Sequence, residues 1–294
     1  MWRKTKNPKC SINTSCVRAM ALSPDGNFIA TTGEKQFDCT STDIIIWNTK
    51  TSDVEHVLRD TGYTKCLAFS SDGSQIAAGK VGKHWMADAE VKVWDVKTRE
   101  LIHTLSWKYT QEIRELASSP MNPAILAITS EKSTLQVDLD KIDETPPEFK
   151  GRNCRYSPMG DVVATSGMFS LEVYDIIIIS AMSGVRIRRT YAHREPVSDL
   201  CWSPDGSKIA SSCCNRVGHC KIWDSSTLEV LHTIDSSYKL GGFNGMSWGP
   251  NWGLALDRRL ACAMALHDRI GNGSFMKHLH PDMLRIMTWD AKHE

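Results

Sequence analysis

The feature that most constrains this chain is a turn that keeps returning. In the stretch PVSDLCWSPDGSKIASSCCNRVGHCKIWD (residues 196–224), three short apolar runs are separated by turn chemistry. Pro204 presets φ for a tight turn, and Gly206 supplies the positive φ that closes it. Runs this short, alternating and rich in β-branched and aromatic residues, read as strands at Val197–Trp202, Lys208–Ser212 and Cys220–Trp223. A fourth run, Val230–Ile234, completes an antiparallel meander. The same pattern returns as ALSPDG…IIIWN (Ala21–Asn48) and AFSSDG…VKVWD (Ala68–Asp95). Weaker copies are ASSPMN…LQVDL (Ala117–Leu139), RYSPMGD…LEVYD (Arg155–Asp175) and SWGPNWG…IMTWD (Ser247–Asp290). The first turn residues are Ser23, Ser70, Ser119, Ser157, Ser203 and Gly249, at spacings of 47, 49, 38, 46 and 46. A repeat of one supersecondary unit at a nearly fixed period predicts an all-β chain of stacked meanders.

Ala192-His193, the SPDG turn and the closing KIWD together resemble a repeat of the WD-repeat family. The resemblance implies a β-propeller, and six anchors imply six blades of four antiparallel strands, with seven blades or an open ring as the alternatives. One domain is expected over residues 1–294. The last repeat ends on its third strand, at Trp289-Asp290, with only Ala-Lys-His-Glu after it. In WD propellers the N-terminal segment commonly fills that place, so residues 1–10 are expected to complete the final blade and cover its edge. Blade three is expected over Ile113–Ile142, with Val137-Asp138 at the Trp-Asp position and DETPPEFKG as a linker. Blade four is expected to carry Tyr174-Asp175 there, with Ile176–Ile179 either running on beyond it as a partly buried end of strand c or projecting as an apolar cluster.

A four-stranded meander reverses at every strand, so its connections alternate between two edges. The short a–b and c–d turns share one edge. The long irregular segments Gly33–Thr42, Gly79–Glu90, Cys213–Cys220 and His267–Asp282 share the other, the b–c and d–a edge. Variable loops on a rigid scaffold are where binding concentrates. Aligning the first strands on their turns gives one column near that edge: Arg18, Lys65, Arg114, Arg152, Ser198 and Asn244. Four basic residues of six, in a chain of net charge +1, point to an acidic or phosphorylated partner segment. His84 and Trp85, in one of the long loops, join Arg18, Lys65, Arg114 and Arg152 as candidate partner-binding residues.

The resemblance also implies a structural tetrad, in which His193 bonds Ser211, Ser211 bonds Trp223, and Asn215 stands where the family usually has Asp. A hydrolase reading of His193 and Ser211 lacks its acid. Cys213, Cys214, His219 and Cys220 lie within eight residues, but their spacing is unlike paired C-x₂-C halves, and no metal is expected there or at His278, His280 and Asp282. No cofactor is expected. Near-neutral charge gives no bulk signal for nucleic acid or an anionic membrane, and the longest aliphatic run, Ile176–Ile179, is far too short for a span. The N-terminal stretch has no apolar run of signal-peptide length. Ten Cys without a small-domain framework suit reduced thiols in cytoplasm or nucleus. The function expected is a non-catalytic protein-interaction scaffold. The alternative is a propeller enzyme at the channel mouth, which needs clustered carboxylates or a metal there.

Overall fold

The computed structural model describes residues 14–35, 43–51, 53–59, 63–80, 89–107, 112–130, 133–170, 173–213 and 219–235. Among these residues there is no α-helix, and the strands form five four-stranded antiparallel sheets. The first holds β1 (Thr14–Leu22), β2 (Phe28–Lys35), β3 (Ile44–Asn48) and β4 (Val54–Leu58) in sequence order. The second holds β5 (Thr64–Phe69), β6 (Gln75–Lys80), β7 (Ala89–Asp95) and β8 (Leu101–Trp107). The third holds β9 (Ile113–Ser118), β10 (Ile125–Ser130), β11 (Ser133–Asp138) and β12 (Glu148–Lys150). The fourth holds β13 (Arg152–Tyr156), β14 (Val162–Ser170), β15 (Val173–Ser180) and β16 (Arg186–His193). The fifth holds β17 (Val197–Trp202), β18 (Lys208–Cys213), β19 (His219–Asp224) and β20 (Val230–Asp235). The chain divides into two compact units, Met1–Ser118 and Ser119–Glu294. The sixth repeat and the expected closing strand at residues 1–10 lie outside the described residues.

Each sheet is registered by its a–b turn. In the fifth sheet the Ser203 hydroxyl, nearly sealed from solvent, donates to Asp205 Oδ1 at 2.6 Å and accepts from the Lys208 amide at 2.9 Å. Backbone bonds Ser203 N–H to Lys208 O and Gly206 N–H to Ser203 O, both 2.9 Å, close the loop around it. Gly206 has φ of 73°, the left-handed conformation that glycine reaches without a Cβ penalty. Ser23 with Asp25, and Ser70 with Asp72, repeat this bonding. In the fourth sheet Ser157 reaches instead to Asp161, at 2.7 Å. The serine is donor and acceptor at once, which is why a hydroxyl suits the position. The Ser hydroxyl also draws Asp25, Asp72 and Asp205 below the usual carboxylate range, backed by turn amides.

The residue after Trp does the matching work at the c–d turn. Asp224 Oδ1 accepts from the Ser226 and Thr227 amides at 2.8 and 3.0 Å, and Asn48 Oδ1 accepts from Lys50 and Thr51. Apolar side chains then fill both faces of the inner strands. In the first unit Ile44, Ile46, Ile76 and Trp94 share one cluster; in the second, Ile176, Leu200, Ile209 and Trp223 share another. Fully burying side chains of this size contributes roughly 1.5–3 kcal/mol each. No helix among the described residues is long and apolar enough to cross a membrane.

Two sequence expectations are corrected. The segment expected as a linker after Ile142 contains the fourth strand of the third sheet, since β12 pairs with β11 through Lys150–Ser133, Phe149–Thr134 and Glu148–Leu135. Phe149 is buried, and that one apolar residue between exposed neighbours is the whole strand signal. In the fourth sheet the Trp-Asp register is held by Ile179-Ser180, not Tyr174-Asp175. Val163 faces Ile179 as Ile209 faces Trp223, and Ser180 makes the turn bonds to Val185 and Gly184 that Asp224 makes to Glu229 and Leu228. Ile176, Ile178 and Ile179 are therefore buried inside strand c rather than projecting past it.

The turn bonding generates a stability test. Ser203→Ala leaves the Lys208 amide and the Asp205 carboxylate short of a partner, and is expected to cost about 1–3 kcal/mol. Pro204→Ala, at an exposed position of the same turn, is expected to cost under about 1 kcal/mol. Denaturant midpoints at unchanged slope measure both. Equal effects of the two substitutions would reject the serine as the anchor.

Candidate functional site

The second unit brings three of the expected tetrad residues together. His193 ends β16, Ser211 lies in the middle of β18, and Trp223 lies on β19 diagonally across from Ser211. His193 Nε2 is 2.7 Å from Ser211 Oγ, and Trp223 Nε1–H donates to the same oxygen at 2.8 Å. Ser211 Oγ accepts from the indole, and the direction of its bond with His193 Nε2 is set by the imidazole tautomer. Burial lowers the His193 pKa to about 4, helped by the charge of Lys221 and then by His219. Lys221 donates to Ala192 O at 2.7 Å and lies 5.5 Å from the centroid of the Trp223 ring. Asn215 lies outside the described residues.

The other sheets fill the same register differently. In the first sheet Trp47 Nε1–H donates to Thr31 Oγ1 at 2.9 Å. In the second, Ala78 stands at the hydroxyl position opposite Trp94's strand. In the third and fourth, Val137 and Ile179 replace the indole. Among the described residues the three-membered network stands in the fifth sheet, its Trp–hydroxyl half is kept in the first, and apolar residues take its place in the second and third, so it acts on the geometry of its own sheet.

The basic column takes a more particular form. Lys65 and Ser198 are each the extra residue of a β-bulge at the start of strand a, and Arg18 occupies the same backbone position in β1. A bulge re-aims the side chain it carries. In the first unit Lys65 and Arg114 converge on Glu112: Lys65 Nζ pairs with Oε1, and Arg114 Nε lies 3.7 Å from Oε2. Both cations are well exposed, so each pair contributes at most about 1 kcal/mol. In the second unit Arg152 is exposed at the start of β13. Nearby, Arg155 Nη2 bonds Asp199 Oδ1 at 3.0 Å. Glu112, Asp199 and Lys221 are the residues that sequence reasoning missed. Lys221 had a signal, in its place two residues before Trp223; the two acids had none.

His84, Trp85, Asn244 and Cys214 lie outside the described residues, as do His278, His280 and Asp282. Cys213 and Cys220 are buried on β18 and β19. Among the described residues no three His, Cys, Asp or Glu side chains are placed to hold a metal ion.

The depressed His193 pKa gives a pH signature. Between pH about 6.5 and about 4 the unfolded chain takes up a proton that the folded site refuses. Stability from this group is therefore complete above about 6.5 and is lost as pH falls towards 4, on the order of 2–3 kcal/mol. The turn carboxylates, held below their usual range, act only at lower pH. In His193→Gln, whose amide carries no such titration, the slope of unfolding free energy between pH 7 and 4.5 is expected to flatten. An unchanged slope would remove His193 as its source.

A family model described as "WD domain, G-beta repeat" matches residues 6–48 and again 53–95. A second, described as "Anaphase-promoting complex subunit 4 WD40 domain", matches residues 155–251. Among curated protein sequences none matches the chain. Among solved structures, the Kuenenia stuttgartiensis hydrazine synthase is similar at 14% identity and a TM-score of 0.66, over 84% of this chain and 74% of that one. A chain of a mitotic checkpoint complex is similar at 16% identity and a TM-score of 0.65, over 85% and 77%. Likeness at such identities shows the fold, that of propeller blades. With its turns, its meanders and both family matches in agreement, the chain belongs to the WD-repeat family.

Proposed function

We propose that the chain is a non-catalytic protein-interaction scaffold, a subunit of a multi-protein assembly that engages its partners through the b–c and d–a edge. The observation that carries this reading is the contrast between the two edges. In four of the five sheets the c–d connection is five residues long and the a–b turn repeats one bonding pattern. The b–c connections instead range from two residues (131–132 and 171–172) to eight (36–43 and 81–88). Outside the third sheet the variation lies on the b–c edge, and variation concentrated on one edge of a repeated scaffold is the pattern of a binding surface. His193 and Ser211, the pair a hydrolase would use, are committed to the interior of a sheet. The family model matched at residues 155–251 is named for a subunit of a complex, which suits the same reading. A single WD-repeat domain over residues 1–294 is part of this proposal, and the free thiols of Cys66, Cys154, Cys201, Cys213 and Cys220 suit the cytoplasm or nucleus.

The partner segment is acidic or phosphorylated. Lys65 and Arg114 already reach one carboxylate, that of Glu112, so an incoming carboxylate or phosphate takes the place of Glu112 between them. Binding then weakens as salt rises.

The test is affinity capture with the full chain and mass spectrometry. Replacing residues 81–88 by the Glu-Lys pair of the third sheet is expected to lose the captured set while the melting temperature holds. Exchanging the c–d turn 96–100 for 225–229 is expected to change neither. Lys65→Gln with Arg114→Gln is expected to weaken capture at least tenfold and flatten its salt dependence. Capture that survives the loop replacement overturns the edge; capture that survives the Gln pair overturns the acidic segment.

A further inference from the structure

The five a–b turns are internal copies, and two of them break the charge pattern. Asp stands at the third turn position in Asp25, Asp72 and Asp205, but Met stands there in Met121 and Met159. Both thioethers face solvent, at 64% and 76% exposure. They are neighbours: a Cβ placed on Gly160, next to Met159, would lie 2.7 Å from Met121 Cγ. Met182, in the adjoining c–d turn, is 89% exposed. It is held beside the same turn by the Ala181 amide, which donates to Asp161 O at 2.9 Å. Three exposed, unbranched thioethers thus stand on adjoining turns at the turn-bearing edge of the second unit.

The surroundings of the cluster are acidic. Asp140, Asp143 and Glu144 are exposed on the connection that leaves β11, which is joined to the Met121 turn by the Leu139 amide bonding Ala124 O at 2.8 Å. Exposed Asp161 borders Met159 and Met182. On these connections Asp140, Asp143, Glu144 and Asp161 stand against Lys141, so negative charge predominates there; the exposed Arg186 and Arg188 lie on β16, which follows. The backbone here has little to offer an added strand, because the turn amides are spent internally: Gly160 N–H on Ser157 O, Gly184 N–H on Ser180 O. A ligand that satisfies its own backbone is required. Methionine surfaces adapt to apolar side chains of varied shape, and an exposed apolar cluster rimmed by charge marks a docking site.

We infer that the Met121–Met159–Met182 cluster is a docking surface for an amphipathic helix whose apolar stripe meets the thioethers and whose Lys and Arg residues meet the acidic rim. This surface is independent of the loop edge, and it selects a basic partner where the loop edge selects an acidic one.

The probe is a fluorescein-labelled amphipathic peptide, LKKLLKLLKKLLKL, read by anisotropy against the full chain, with a control peptide bearing Glu for every Lys. The basic peptide is expected to bind saturably, and the Glu peptide at least tenfold more weakly. Met121→Asp with Met159→Asp installs the residue that the other three turns carry. It is expected to weaken the basic peptide at least tenfold even though it adds two negative charges. If the double variant fails to fold, Met182→Glu, at the most exposed of the three, is read in the same way. Affinity that is unchanged or tightened by these substitutions overturns the proposal, because charge alone then accounts for binding. Equal affinity for the Lys and Glu peptides, or no binding of either, overturns it as well.

Discussion

A hydroxyl buried beneath each a–b turn is the constraint on which the described sheets depend. In four of the five sheets the serine oxygen receives the amide of the residue that opens strand b and hands its own proton to a carboxylate, while in the third sheet Ser119 Oγ receives the Met121 amide instead. This fixes how many residues separate strand a from strand b. Side chains alternate faces along a strand, so a slip of one residue would turn every buried side chain outwards. Ile209 and Ile76, six residues beyond their turn serines, are fully buried because that count is held. The core therefore inherits its register from a polar atom at its rim.

Much of this was legible in the residues. The fifth sheet's strands fall within a residue or so of their expected bounds, because turn, alternation and Trp-Asp all agree there. Legibility failed where a mark was missing. In the fourth sheet the indole is replaced by Ile179, within a run of four isoleucines whose registers look alike, and Tyr174-Asp175 offered a false aromatic-acid match. In the third sheet, strand d is three residues long and follows two prolines, so composition pointed to a linker. The basic column could be seen by alignment. Its partner Glu112 could not, because nothing in the turn-based alignment marks a carboxylate two residues before Arg114.

The repeats also allow positions to be compared inside one chain. Polar Ser211 and Thr31 give way to Ala78 and Ile128 at the same register, so the interior tolerates either solution provided the strand count is kept. At the turns the reverse holds. In four of the five sheets the backbone bonds are the same, and at Met159 the exposed third residue changes from carboxylate to thioether without disturbing them; the third sheet, which carries Met121, has one more turn residue and bonds Ser119 N–H to Ile125 O. Shape is set by the atoms that repeat, and recognition is free to use those that do not.

Several bonds between sheets join residues 44 to 47 positions apart, about one repeat: Ser71 to Ser118 in the first unit, and Asn153 to Val197 and Trp202 to Arg155 in the second. During synthesis, then, a meander can zip from local contacts as soon as its own residues emerge, but its flank stays bare until the next one arrives. At about 5–20 residues per second that wait lasts roughly two to nine seconds. For those seconds the newest sheet offers the ribosome-bound chain an uncovered apolar flank, and each succeeding repeat serves as the cover for its predecessor.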